Sequence, residues 1–322
     1  MISFLKNAIR VGIIFLFGCV GETITEKSGH LNLGIPGVML FGTASGCVAA
    51  SAMVNSAGGV NAMNGFQIFL TVLFPILATL AGGALAGLIY SFFTVTLRVN
   101  QNVTGLVFNI FGEGLCYFMK DGIAREQYSF SQASKFFTAS LPFAKNLGWF
   151  GELFLSYGFL VYVGIAIAII ASIVLNRTRV GLHLRAVGEN PATADAAGIN
   201  VTAYRYGATC IGCAIAAMGG LFAVMDYLCG SWSYSIDAFG WLAISLVIFT
   251  LWKPWLGIFG SILFGILYTL SSKLNVPISV KPLFEMIPYI VTIAILVFTS
   301  IRNKRENQPP AALGQTYFRE DR

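Results

Sequence analysis

The chain has 322 residues, of which 56% are hydrophobic and only 11% are charged, and its mean hydropathy is +0.75. These values exclude an ordinary soluble globular protein and are typical of a polytopic membrane protein. The net charge of +6 does not indicate nucleic-acid binding, because the basic residues stand at the ends of apolar segments and not along one run.

Apolar runs of membrane-spanning length recur along the whole chain. A hydrocarbon core about 30 Å thick needs roughly 20 apolar residues per helix. We therefore predict an all-α, polytopic integral membrane protein with about nine transmembrane segments, within a range of eight to ten. The predicted segments lie at about residues 8–24, 34–54, 67–97, 101–119, 152–176, 205–228, 238–252, 255–272 and 284–301.

The first segment follows two basic residues, Lys6 and Arg10, as a secretory signal would. The bulky Phe17 before Gly18 and Cys19 does not suit a cleavage site, so we expect a retained first helix. With nine segments and a cytoplasmic carboxyl terminus, the amino terminus is expected on the external side of the membrane. This placement conflicts with the two positive charges, which favour the cytoplasmic side.

The third segment is unusually long and contains Pro75 and a run of small residues at 81–84 (AGGA). These features indicate a tilted or kinked helix that packs closely on its neighbours. Small residues also recur four apart at Gly42 and Gly46. We expect close helix contacts at these positions.

Residues that carry out covalent chemistry are scarce. The six cysteines lie in or beside apolar stretches and are expected to be small core side chains. The chain has no glycine-rich phosphate loop, and His30 and His183 are its only histidines. We therefore expect no catalytic residue, no metal site and no cofactor bound by this chain.

One segment, RAVGENPATADAAGIN at residues 185–200, is too polar for the hydrocarbon. Asn190 suits a helix cap, Pro191 suits a first helical position and Gly198 suits a helix end. The pattern predicts a short amphipathic helix with small alanine faces, and the arginines that flank it predict a cytoplasmic location. Such a helix can dock into a groove of another protein. A solvated loop between membrane helices is the alternative.

The segment at 185–200 resembles the cytoplasmic coupling segment of ABC importer permeases of the branched-chain amino acid, simple sugar and nucleoside group. Three further stretches agree, in order along the chain. GETITEKSGHLNLGIPGVMLFG at 21–42 and VNQNVTGLVFNIF at 99–111 resemble patterns of the nucleoside-type permeases. PAALGQTY at 310–317 resembles their cytoplasmic tail, whereas Pro36 stands where the family often has Glu.

The resemblance implies a permease domain at residues 1–302, a coupling loop at about 177–205 and a short cytoplasmic tail at 303–322. It also implies a bacterial plasma membrane location. The implied partners are a cytoplasmic ATPase that binds the ATP, a second permease subunit, identical or related, and an external substrate-binding lipoprotein. Membrane lipid surrounds the chain, and no nucleic acid is expected. The candidate ATPase contacts are Arg185, Glu189, Asn190, Pro191, Asp195, Gly198 and Ile199.

Nucleosides are the substrates that the resemblance implies, with simple sugars of the ribose type as the nearest alternative. Polar residues inside membrane segments are costly unless they face a cavity or a partner. Neutral amides can hydrogen-bond a base or a ribose, and an indole can stack on a base. For each candidate a structural role stays open, such as an interfacial anchor for the tryptophan. The candidate path residues are Asn32, Asn102, Asn109, Glu113 and Trp241.

The stretch NLGIPG at residues 32–37 predicts a broken helix that restarts at Pro36 and aims its amide dipoles at the path. Two other classes of protein remain as alternatives. An ion-coupled secondary transporter would use Glu22, Glu113 or Asp226 as a proton or sodium relay. A membrane scaffold would rely on its small-residue faces alone.

Overall fold

The computed structural model describes residues 2–127, 129–140, 148–232, 236–273, 277, 280, 283, 284, 286–302 and 308–318, and every regular element within them is helical. The main helices are α1 (Ile2–Glu26), α2 (Ile35–Ser56), α3 (Gly65–Ser91), α4 (Gln101–Ile123), α5 (Ser134–Phe137), α6 (Gly148–Phe154), α7 (Phe159–Arg177), α8 (Arg179–Glu189), α9 (Pro191–Ala196), α10 (Val201–Phe222), α11 (Ile236–Phe249), α12 (Pro254–Lys273) and α13 (Ile287–Arg302). One π-helical turn extends α3 over Phe92–Thr96, and another extends α10 over Ala223–Tyr227.

The predicted membrane segments coincide with helices, which confirms the all-α polytopic fold. With their π-helical turns included, α1, α2, α3, α7 and α10 are long and apolar enough to cross a membrane, and α11, α12 and α13 contain shorter apolar helices. The predicted segment at 152–176 differs in one respect, because α6 ends at Phe154 and α7 begins only at Phe159. Gly158, in an extended conformation, is the N-cap of α7 and separates the two helices.

Helix α10 lies at the centre of the bundle, where it packs against α1, α2 and α3. These contacts depend on residues without large side chains. Gly42 and Gly83 approach Ala217 of α10 from α2 and α3, and Gly21 of α1 approaches the Gly212 backbone. Close approach of helix backbones increases van der Waals contact, which is the main source of helix association in a bilayer. The expectation of close packing at the small residues is confirmed.

An ion pair inside the bundle accounts for one of the amino-terminal charges. Arg10 Nε of α1 lies 2.8 Å from Asp226 Oδ1, and the Asp226 side chain is only 1% exposed. Since Asp226 follows the far end of α10, the first turns of α1 lie at the end of the bundle opposite to α9. Arg10 is therefore a neutralised internal charge. It does not act as a free orientation signal, which leaves Lys6 as the charge that conflicts with helix parity.

The packing at Gly83 predicts opposite effects for two identical substitutions. A Cβ at Gly83 would lie 2.6 Å from both Ala217 Cβ and the Cys213 carbonyl oxygen, whereas a Cβ at Gly114 of α4 would meet nothing within 4 Å. We expect Gly83→Ala to lower the free energy of unfolding by about 1–3 kcal/mol through overpacking. Gly114→Ala should leave it unchanged or raise it by up to about 1 kcal/mol through helix propensity.

Thermal unfolding of the two purified variants in detergent measures both effects. Equal apparent Tm values for the two variants would contradict the close packing of α3 on α10.

Candidate functional site

The chain between α1 and α2, residues 27–34, turns back into the bundle; we call it the re-entrant segment. The backbone amide of Asn32 donates a hydrogen bond to Glu22 Oε1 at 2.9 Å, which places the segment beside the last turns of α1. Helix α2 then begins at Ile35, with Gly34 as its N-cap and Pro36 in its first turn. The Ile35 side chain lies against Gly18 in the middle of α1. The predicted break and restart are therefore confirmed, and α2 begins deep inside the bundle.

Asn32 is fully buried and stabilises this break. Its Oδ1 accepts a hydrogen bond from the Gly34 amide at 2.9 Å, and its Nδ2 donates to Cys213 Sγ at 3.4 Å. Both ends of the amide are thus engaged with protein atoms. In this conformation Asn32 shapes the start of α2, and its predicted contact with substrate stays a prediction.

Two other candidate path residues come close to the start of α2. Gly37 packs against the backbone of Asn109 on α4, and Pro36 packs against Gly240 on α11, which is followed by Trp241. Asn109 Oδ1 is buried and has no hydrogen-bond partner among the described residues. Trp241 is half-buried at the edge of the hydrophobic core. The start of α2 therefore lies against the backbone of Asn109, whose side-chain oxygen is unused, and against Gly240, the residue before Trp241.

The remaining two candidates lie elsewhere. Asn102 and Glu113 are exposed on the outer face of α4, and Glu113 Oε1 accepts a hydrogen bond from Tyr117 at 3.2 Å. The structure does not bring them together with Asn32. The same face of α4 also exposes several large apolar side chains, namely Val103, Leu106, Val107, Ile110 and Phe111.

Two acidic side chains of α1 are buried beside the re-entrant segment. Glu22 and Glu26 are 0% and 3% exposed and lie one helical turn apart. Glu26 accepts a hydrogen bond from the indole of Trp252, whose left-handed φ of 56° is rare for a large side chain. Glu22 Oε2 has no hydrogen-bond partner among the described residues. The acids hold the segment and Trp252, which favours a structural role over an ion relay.

Helix α9 has the local geometry that the sequence predicts. Asn190 Oδ1 accepts a hydrogen bond from the Thr193 amide at 3.0 Å, and Pro191 is the first helical residue. Gly198 ends the turn after the helix with a φ of +83°, a conformation that glycine adopts without strain. These three residues shape α9 through its backbone.

The rest of α9 divides into a buried side and an exposed side. Ala194 and Ile199 pack against Val187 of α8 and Val201 of α10. The exposed residues are small or short, namely Ala192, Thr193, Ala196 and Ala197. This smooth exposed face is available to a partner. The predicted contact residues mostly build the helix that carries it.

Two charged residues of α8 differ in exposure. Arg185 is half-buried, and its Nε has no hydrogen-bond partner among the described residues. Glu189 is exposed and lies close enough to Lys27 to affect its charge. Burial lowers the pKa of Lys27, and the Glu189 carboxylate opposes part of that shift. The end of α8 is thus coupled electrostatically to the re-entrant segment.

Residues 308–318 of the tail pack across this end of the bundle. The Gly314 amide donates to the Gly29 carbonyl at 3.2 Å, and the Ala312 amide donates to the Gly188 carbonyl at 3.0 Å. The Tyr317 hydroxyl donates to Asp195 Oδ2 at 2.9 Å. The tail thereby links the re-entrant segment, α8 and α9. No local pattern in the tail had indicated these contacts.

His30 connects the re-entrant segment to two membrane helices. Its Nδ1 lies 2.7 Å from the hydroxyl of Thr209 on α10, and its Nε2 lies 2.7 Å from the hydroxyl of Thr94 after α3. Burial and, to a smaller extent, the positive charge of Arg205 together lower the pKa of His30 to about 3. The ring is therefore neutral at physiological pH. In the sequence His30 is only one of two histidines, and no local pattern there indicates that it bridges two helices.

Sequence comparison bears on what this architecture does. Residues 4–296 match the family described as branched-chain amino acid transport system / permease component. The chain belongs to this permease family. A nucleoside ABC transporter permease of Lactococcus lactis subsp. cremoris is 30% identical over 297 residues, which cover 90% of each chain.

Two further relatives of the permease differ in the substrate that their names give. A guanosine ABC transporter permease of Bacillus subtilis is 28% identical and covers 86% of this chain and 85% of its own. A protein of Haloferax volcanii, provisionally named a glucose ABC transporter permease, is 29% identical and covers 98% of this chain and 97% of its own. The chain is thus a multi-pass membrane permease subunit of an ABC importer. This assignment decides against the secondary transporter and the scaffold.

The buried, neutral His30 predicts a loss of stability in mild acid. The pKa of an unfolded histidine is about 6.5, so below that pH the unfolded chain binds a proton that the folded permease does not bind until about pH 3. Stability conferred by His30 is present above pH 6.5. It should fall by up to about 1.4 kcal/mol per pH unit between those two values.

The variant His30→Gln keeps a neutral hydrogen-bonding side chain and removes the titration. Apparent Tm values of both proteins at about pH 7.5 and about pH 5.5 test the prediction. The wild type should lose more Tm on acidification than the variant. Identical losses would show that His30 is not held neutral by the fold.

Proposed function

We propose that this permease forms the translocation path of a nucleoside importer in a bacterial plasma membrane. The relatives named for nucleosides and guanosine support this substrate class. The surroundings of the α2 start also suit it. A free amide oxygen at Asn109 can accept a hydrogen bond from a base or a ribose, and the ring of Trp241 can stack on a base.

The second candidate substrate is a simple sugar, because the relative provisionally named for glucose covers 98% of this chain. A sugar also hydrogen-bonds to amides, so Asn109 serves either substrate. The two classes differ in their need for an aromatic stacking partner. Sugar transport would leave that use of Trp241 unexplained.

In this proposal α9 is the element that receives force from a cytoplasmic ATPase, which binds the ATP. The observation that carries the proposal is the chain of contacts between α9 and the start of α2. Asp195 of α9 bonds to Tyr317 of the tail, and the tail bonds to Gly29 of the re-entrant segment, which leads directly into α2. A displacement of α9 is thereby passed to the helix that begins beside Asn109.

The surroundings of α9 support the same role. Its exposed residues are small, so a partner surface can approach the backbone closely. Beside it lies a cavity of about 450 Å³, which is lined by Arg98, Asp195 and Arg205 among others. A complete importer in this proposal also includes a second permease subunit and an external substrate-binding lipoprotein. The exposed apolar face of α4 is where we place the second permease.

Transport in reconstituted vesicles tests the substrate. The vesicles contain the permease, its ATPase and its second permease, with the binding protein outside. We expect uptake of labelled nucleoside that requires ATP and is suppressed by excess unlabelled nucleoside but not by excess glucose or ribose. Suppression by the sugars alone would favour the sugar permease. Uptake without ATP would contradict ATP-driven import, which is the mechanism proposed for either substrate.

The exposed face of α9 predicts a site-specific loss of coupling. Ala196→Trp places a large ring on that face and should reduce binding of the ATPase about tenfold or more, equivalent to roughly 1.4 kcal/mol. Ala124→Trp is the matched control. Ala124 is also exposed, but it follows the last residue of α4, at the end of the bundle opposite to α9. Co-purification of the ATPase and ATP-dependent uptake are measured. Unchanged ATPase binding by Ala196→Trp would remove α9 as the docking element.

A further inference from the structure

A lateral groove lies between α7 and α10. Its volume is about 580 Å³. Ile170 and Ala171 line it from α7, Gly207 and Ile211 line it from α10, and α8 closes one end with Val180. The lining residues are uncharged, and the hydroxyl of Tyr204 among them already bonds to His183 at 2.8 Å. The groove thus offers a nearly continuous apolar surface.

The groove opens toward the hydrocarbon of the membrane. Both helices that form its walls are long and apolar enough to cross a bilayer. Ile170 is 58% exposed and Ile211 is 57% exposed, so the rim as well as the interior is apolar. Water gains no hydrogen bonds on such a surface, whereas a flexible hydrocarbon chain gains dispersion contacts along its length. An acyl chain is the occupant whose chemistry fits.

Two positive charges stand at the closed end of the groove. Arg177 ends α7 and Arg179 begins α8, and both are exposed. The residues around them, Leu175 and Val180, line the groove, so the arginines lie where its apolar surface meets the aqueous boundary. The corner is fixed, because Thr178 Oγ1 accepts a hydrogen bond from the Gly181 amide at 3.1 Å.

The neighbouring stretches of the sequence carry no acidic residue that could offset this charge. The sequence has no Asp or Glu between Glu152 and Glu189, nor in α10. Basic clusters at the end of a membrane helix attract anionic lipid headgroups, at about 1 kcal/mol per basic residue. The site therefore pairs an apolar groove with a cationic mouth, which matches a lipid that carries net negative charge.

We propose that this groove binds one anionic phospholipid, with an acyl chain between α7 and α10 and the phosphate at Arg177 and Arg179. The lipid fills the surface that α7 and α10 leave open above α8. The bound lipid thereby fixes the angle between α7 and α10 next to α8, the helix that leads into α9. This assignment does not depend on which solute the permease carries.

Native mass spectrometry of the full-length permease tests the headgroup. The protein is released into detergent from vesicles of equal parts phosphatidylglycerol and phosphatidylcholine, and retained lipids are counted. We expect one phosphatidylglycerol to be retained in preference to phosphatidylcholine. Each arginine should contribute about fivefold to that preference. The double variant Arg177→Gln, Arg179→Gln should therefore reduce it about 25-fold.

The control is Arg125→Gln, Lys135→Gln, which removes the same charge near the opposite end of the bundle and should keep the preference. Equal retention of the two lipids by the wild type, or equal losses in the two double variants, would overturn the proposal.

A second pair of variants tests the acyl chain. Gly207 lines the groove, and a Cβ there would meet nothing within 4 Å, so Gly207→Leu fills the groove without displacing the backbone. Gly114→Leu is the control, because its Cβ also meets nothing within 4 Å and Gly114 lies on α4. Gly207→Leu should lose the retained phosphatidylglycerol, and Gly114→Leu should keep it. Retention in both would show that the lipid binds elsewhere.

Discussion

The structure depends on burying a stretch of non-helical backbone inside a membrane bundle. Backbone amides and carbonyls in such a stretch must find hydrogen bonds from the protein itself, because the bilayer offers none. In the second half of the re-entrant segment, side chains supply several of those bonds. Gln101 accepts from the Leu31 amide at 2.8 Å, and Glu22 accepts from the Asn32 amide. The Tyr90 hydroxyl donates to the Leu31 carbonyl at 2.7 Å. Each partner comes from a different helix, so the segment holds α1, α3 and α4 in one arrangement.

The polar residues near the site therefore serve two purposes that the sequence does not separate. Asn32 and Glu22 stand out because polar side chains in apolar runs are rare, but both are used to satisfy the break. Asn109 stands out for the same reason and keeps a free acceptor. The difference between them comes from the local fold, in which α2 begins at Ile35 beside α4. Burial alone does not distinguish a structural amide from one that faces a solute.

Local signals explain which features the sequence predicted correctly. The membrane helices follow from runs of apolar residues, and the ends of α9 follow from Asn190, Pro191 and Gly198, because caps are determined by neighbours in the chain. Contacts between distant residues leave no such signal. The bond between Tyr317 and Asp195 joins residues 122 positions apart, and the ion pair between Arg10 and Asp226 joins residues 216 positions apart. Their partners became known only once the helices were placed.

The tail contacts have a consequence for the order in which the protein matures. Residues 308–318 follow every membrane helix along the chain, yet they complete the surface around α8, α9 and the re-entrant segment. Since translation proceeds from the amino terminus, α9 emerges from the ribosome long before the residues that fasten it. A nascent chain still under synthesis thus lacks the finished α9 surface. In the proposed importer, assembly with the ATPase at that surface therefore awaits the synthesis of residues 308–318.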